Sequence, residues 1–155
     1  MEILTLPPRI KVLEAISAIA DNRIQVLDDR NAKVVSSLGD KVYHVYVDLE
    51  AGIAYSDDNG TRYRGYIGYP IISFLMLKGV VSRNDRIGKA LKGIPWKTLN
   101  EKFKKYYLVE KEVKKIAAKH GVKASEINEY IKQVLEQLKN IELRKLESLP
   151  LTAFK

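Results

Sequence analysis

The sequence predicts an α+β fold: an N-terminal helix, a four- to five-stranded antiparallel sheet, then a basic multi-helix C-terminal half. Three observations carry this. Apolar residues recur at helical spacing after Pro8, and short alternating runs separated by turn residues fill positions 23–69. Beyond Pro70 the helical period returns and basic residues accumulate.

Pro7 and Pro8 open the first helix, since proline's fixed φ suits a first turn. Ile10, Leu13, Ile16 and Ala20 then share a face as far as Asp21. RIQVL, KVVSSL, KVYHVYVDL and IAYS follow, closed by DDRN, GD, EAG and DDNG, and read as strands between turns. In the third run Tyr43, Val45, Val47 and Leu49 share one face, and Val42, His44, Tyr46 and Asp48 the other. That alternation suits a sheet with one buried side. Asn59-Gly60 predicts a type I′ hairpin, because both positions of that turn need positive φ. TRYRGYIGY, residues 61–69, is then the last strand, stopped by Pro70. Alternation along it places Arg62, Arg64 and Tyr66 on one face and Tyr63, Gly65, Ile67 and Tyr69 on the other.

After Pro70, Ile71, Ile72, Phe74, Leu75 and Met76 predict a short buried helix ending at Gly79. SRNDRIGKALKGI adds another, with Ser82 or Asn84 as its N-cap. A long helix is expected over 95–121, from Pro95 to the stop at Gly121. Ser125-Glu126 launches a last helix reaching residue 147, with Ile127, Ile131, Val134, Leu138 and Ile141 on one stripe. Residues 1–150 are expected as a single domain, with helix and sheet in 1–69, the helical half in 70–148 and a flexible tail in 149–155.

Charge is unevenly placed. The 155 residues carry a formal net charge of +8, yet residues 1–69 hold eight Lys/Arg against ten Asp/Glu. Residues 78–105 hold nine basic side chains against Asp85 and Glu101 alone. Such a segment attracts polyanions. There is no cysteine, which excludes disulfides, thiolate nucleophiles and cysteine-ligated zinc, and suits an intracellular compartment. The first ten residues lack the pattern of a signal peptide, and the apolar stretch 70–77 is too short to span a bilayer. A cytoplasmic location without a membrane partner is expected.

Catalytic signals are weak. His44 falls mid-strand and His120 at a helix end, where the dipole favours it, and neither has triad partners in sequence. Asp57, Asp58 and Asn59 lack the spacing of a calcium loop and read as a solvated hairpin tip. Gly65-x-x-Gly68 has no following Lys-Ser/Thr to make a phosphate loop. An enzyme would need carboxylates such as Asp48, Glu50 and Asp57 brought together in space. No catalytic residue, cofactor or metal is therefore assigned.

Binding signals are stronger. Arg64-Gly65-Tyr66 begins like the ribonucleoprotein motif, but Ile67 and Gly68 then break it. Arg62, Arg64 and Tyr66 would still make a cationic and aromatic strip able to stack bases and pair phosphates. Arg83, Arg86, Lys89, Lys92 and Lys97 add a basic helical side near Trp96, which itself reads as a core anchor. IAAKHGVKASEINEYI has the spacing of a helix-turn-helix, although Glu126 and Glu129 would face the phosphates. The whole chain, especially RYRGYIGYPIISFLMLKG and GIPWKTLNEKFKKY, resembles a small uncharacterised protein family of thermophilic archaea. That family has no assigned activity, so the resemblance implies no functional residues. The leading expectation is a non-catalytic nucleic-acid-associated protein that contacts the DNA or RNA backbone with little sequence preference. The alternative is a structural or interaction module, homodimeric through its helical half, whose charge reflects thermal adaptation.

Overall fold

The computed structural model describes residues 2–150. Helix α1 (Ile10–Ala20) leads into strands β1 (Ile24–Val26), β2 (Asn31–Val35), β3 (Val42–Asp48) and β4 (Ile53–Ser56). Helices α2 (Asn59–Arg64), α3 (Tyr69–Leu77), α4 (Asp85–Ala90), α5 (Trp96–Phe103), α6 (Tyr106–Lys119) and α7 (Ala124–Lys139) follow, and β5 (Arg144–Lys145) closes the chain order. The fold is α+β.

The sheet runs β1-β2-β3-β4-β5. Its first four strands form an antiparallel meander, with Ile24 opposite Val34, Lys33 opposite His44 and Tyr46 opposite Tyr55. The fifth strand is not the predicted one. It is β5, from beyond α7, and it lies parallel to β4 with Arg144 opposite Ile53, so the sheet is mixed. Val45 and Val47 turn into the core as the alternation predicts, whereas Leu49 at the strand end is exposed.

Helix α1 lies at the centre of the molecule. Ile10, Val12, Leu13, Ala15, Ile16 and Ala18 have no exposed surface, and α3, α4, α6 and α7 all pack against this helix. One core cluster joins Val34 and Val45 of the sheet to Phe74 and Leu75 of α3 and to Val113, Ile131 and Leu138 of α6 and α7. The helical half thus folds back on its own sheet. Burying a side chain such as Phe74 or Ile131 contributes about 1.5–3 kcal/mol.

Three further elements depart from the sequence reading. Residues 59–64 form α2 instead of a hairpin tip and strand. The Asp58 carboxylate accepts the Thr61 backbone N–H at 3.1 Å and the hydroxyls of Ser56 and Thr61, an N-cap that commits Asn59-Gly60 to a first helical turn. Gly65, at φ 70°, ends the helix in the left-handed region, and Tyr66 then pairs with Thr5 in an isolated bridge. Arg62, Arg64 and Tyr66 therefore do not alternate along a strand, and Tyr63, expected in the core, is 72% exposed. The predicted helix over 95–121 is broken between α5 and α6 by Lys104, at φ 59°, and an extended Lys105. The last helix stops at Asn140 because the following segment is drawn into the sheet, where Arg144 and Leu146 N–H groups donate to Gly52 and Ala54 carbonyls. Ile127, Ile131, Val134 and Leu138 are buried against the rest of the chain, which leaves this stripe unavailable as a dimer seam. Of the expected tail, 151–155 lie outside the described residues.

The α2 turn is sterically tight. A Cβ on Gly68 would lie 2.2 Å from an Asp58 carboxylate oxygen, inside the cap that holds the helix. Gly68→Ala is expected to destabilise the protein by about 1–3 kcal/mol in urea unfolding, and unchanged stability would contradict the cap as described.

Candidate functional site

A concavity of about 420 Å³ lies where α1, the β2–β3 turn, α2, α5 and the start of α6 meet. Its floor is polar. Glu14 of α1 is only 4% exposed, and helical i,i+3 spacing brings the Lys11 ammonium to 2.7 Å from its carboxylate. Asn100 of α5 donates to the same carboxylate at 3.2 Å. Burial opposes the charge of Lys11, but the charge and hydrogen bond of Glu14 outweigh it and raise the lysine above its ordinary value. One turn along α1, buried Ser17 donates to the Leu91 carbonyl at 3.0 Å and accepts the Trp96 indole N–H at 2.9 Å. Trp96 is a core anchor, as the sequence suggests.

The walls are aromatic. Tyr66 and Tyr106 line the same side, and the Lys11 ammonium stands 5.3 Å from the Tyr106 ring centroid. Tyr43 and Tyr69 meet edge to face at 6.2 Å, and the Arg23 guanidinium lies 6.0 Å from the Tyr69 ring. Burial raises the Tyr43, Tyr66 and Tyr69 hydroxyls above their ordinary values, and like any phenol at neutral pH they are protonated and able to donate.

The rim carries both signs, with Lys41, Arg64 and Lys97 beside Asp40 and Glu101. Lys97 approaches Asp40 at 3.7 Å across the mouth, with both side chains about half exposed. Lys41 and Arg64 also line the cleft, and among the described residues neither has an ion-pair partner. An anion arriving here would meet these two cations, above a floor whose Glu14 carboxylate is paired with Lys11. Chemically the cleft can hold a planar ring between tyrosines and a negative group at its rim.

Of the sequence candidates, Arg64, Tyr66 and Lys97 line this cleft. The other five do not. The Arg62 guanidinium lies 5.6 Å from the exposed ring of Tyr63. Arg83 pairs with Asp85 at 2.7 Å, and Arg86 pairs with Glu126 at 3.1 Å while donating to the Gly121 carbonyl. Arg86 and Lys89 line a separate depression beside His120, and Lys92 is exposed just after α4. The eight residues thus fall into separate places, with Arg86 and Lys89 on one depression and Lys97 on the cleft. The αα-corner between α6 and α7 forms as read, but Glu126 in the first turn of α7 is engaged by Arg86. Asp48 and Asp57 sit at opposite ends of the β3–β4 pair, with Asp57 accepting the His44 backbone N–H at 2.8 Å. Among the described residues no group of three His, Cys, Asp or Glu side chains is placed to hold a metal ion, and no helix is long and apolar enough to cross a membrane.

Sequence reasoning missed Lys11, Glu14, Lys41, Tyr43, Tyr69, Asn100 and Tyr106. One signal was present: Lys11 and Glu14, the two charged residues of α1, stand at i,i+3, a spacing that lets them pair.

A family model described as uncharacterised conserved protein UCP014422 matches residues 4–144, a span that includes the whole cleft. No curated protein and no solved structure matches the chain significantly.

The ion pair on the floor yields a non-additive expectation. Glu14→Leu alone leaves the Lys11 charge buried without a partner and should cost about 3–5 kcal/mol in urea unfolding. Lys11→Met with Glu14→Leu should be less destabilised than Glu14→Leu alone. A double variant as unstable as the sum of its two single variants would contradict the pairing.

Proposed function

The chain belongs to the family of uncharacterised conserved proteins UCP014422, and we propose that it is a non-catalytic nucleic-acid-associated protein that holds one nucleotide unit in the tyrosine cleft. The observation that carries this reading is the convergence of Arg64, Lys41 and Lys97 on a cleft walled by Tyr43, Tyr66, Tyr69 and Tyr106. A volume of about 420 Å³ suits a ligand of nucleotide size. Tyrosine faces stack on any base and each stacking contributes about 1–3 kcal/mol, which goes with little sequence preference. The rim cations supply phosphate contacts with the usual salt dependence. The absence of cysteine and the Lys- and Glu-rich composition go with a cytoplasmic protein of a thermophilic archaeon.

This narrows the backbone-tracking expectation to one pocket, because Arg83 and Arg86 are engaged with Asp85 and Glu126. A second reading, a module that pairs with itself, is favoured by the charge order along α7.

Isothermal titration at about 50 mM salt with nucleoside monophosphates and short single strands tests the pocket, with inorganic phosphate and free nucleosides as controls. Nucleotides or strands should bind at least about tenfold more tightly than either control, and weaken as salt rises to about 200 mM. Arg64→Ala and Lys41→Ala should each weaken binding about five- to tenfold, while Lys89→Ala with Lys92→Ala changes it less than twofold. No binding of any nucleotide or strand overturns the reading, as does an equal loss in the Lys89/Lys92 variant.

A further inference from the structure

Helix α7 uses its apolar stripe inside the molecule and presents a second, ordered stripe outside. Glu129, Lys132, Glu136 and Lys139 are all exposed. At 3.6 residues per turn they lie within about 80° of one another, on the side away from the buried Ile127, Ile131, Val134 and Leu138. Their signs alternate, and their positions form a palindrome about residue 134. Positions 129 and 139 are equidistant from it and opposite in charge, and so are 132 and 136. Intrahelical pairs at i+3 and i+4 are within reach of these side chains, yet among the described residues none of the four takes part in an ion pair.

Beside this stripe the N-terminal segment and α7 leave an apolar groove. Leu6, 45% exposed, faces it together with the partly buried Leu135. A second depression shares Leu6 and Lys139 and adds Ile3, also 45% exposed, so the apolar strip continues along the helix.

We infer that this face docks a second copy of the chain, α7 against α7, antiparallel about a two-fold axis at residue 134. A two-fold interface sets the same patch against itself, so the patch must be self-complementary. Antiparallel pairing places Glu129 opposite Lys139 of the partner subunit and Lys132 opposite Glu136 of the partner subunit, while Leu6 and Leu135 of both copies fill the seam. Parallel pairing would oppose like charges at every position and is disfavoured. The palindromic order is what selects a copy of the chain over an unrelated acidic or basic partner, which would match only half of the stripe. The surface is separate from the tyrosine cleft, so this inference stands or falls independently of nucleotide binding.

Sedimentation velocity of the full chain over about 20–200 µM at about 50 mM salt is the test. The expected result is a dimer that weakens as salt rises. Lys132→Glu with Lys139→Glu makes the stripe wholly acidic, and Glu129→Lys with Glu136→Lys makes it wholly basic. Each double variant should be folded by circular dichroism and monomeric, and an equimolar mixture of the two should form a heterodimer. Leu6→Glu, at the apolar edge, is an independent variant that should also be monomeric. A wild type that stays monomeric over the whole range overturns the inference. So does a dimer indifferent to Leu6→Glu and to both charge variants, or a mixture of the two charge variants that remains monomeric.

Discussion

The structure depends on satisfying two polar side chains inside its central helix. Glu14 and Ser17 lie one turn apart on α1, at 4% and 0% exposure, surrounded by aliphatic residues. A buried carboxylate without partners costs several kcal/mol, and a buried hydroxyl about 1–3 kcal/mol. Their partners are Lys11 on the same helix, Asn100 on α5, the Leu91 carbonyl and the Trp96 indole. Apolar contact alone would let α5 slide along α1, whereas these bonds fix its position. Once α5 is fixed, Lys97 stands at the mouth of the cleft, and the left-handed Lys104 turns the chain so that α6 delivers Tyr106 to the same place. The concavity is a consequence of polar satisfaction in the core.

Electrostatics in three dimensions differs from charge counted along the chain. The segment 78–105 is the most basic in the sequence, but several of its cations are engaged elsewhere. Lys78 bonds Asp29 at 3.0 Å, Arg86 bonds Glu126, and Lys97 approaches Asp40. The rim charges without an ion-pair partner, Arg64 and Lys41, come from the half of the chain with net negative charge. The tyrosine wall offers donors and ring faces without added negative charge, because phenols are protonated at neutral pH and burial raises them further.

Much of the fold was legible in the sequence. The first helix, the four-stranded meander and the Asn84 N-cap follow from period and turn chemistry, and Asn84 does accept the Ile87 N–H. The failures share a cause, because each depends on contacts distant in sequence or on one backbone angle. Asp58-x-x-Thr61 and Asn59-Gly60 are competing local signals. Ser56 and the Gly68 N–H, both bonded into the same cap, decide in favour of the helix. The break at Lys104 is a left-handed residue that is not glycine, and residues 144–145 become a strand only because β4 offers an edge. At the site, Arg64, Tyr66 and Lys97 were chosen for their chemistry and do meet, although by a different backbone route than alternation suggests. Lys11 and Glu14 were hidden because a charged pair on a predicted core helix reads as its solvated side.

The central claim is that one cleft, formed by the demands of α1, receives a nucleotide unit. Amide and indole chemical shifts of the ¹⁵N-labelled protein, followed while a nucleoside monophosphate is titrated in, test this most directly. The account predicts changes confined to the Trp96 indole and the amides of Lys11, Lys41, Arg64, Tyr66, Lys97 and Asn100. Changes centred on Arg86, Lys89 and Lys92, or none at millimolar ligand, would contradict it.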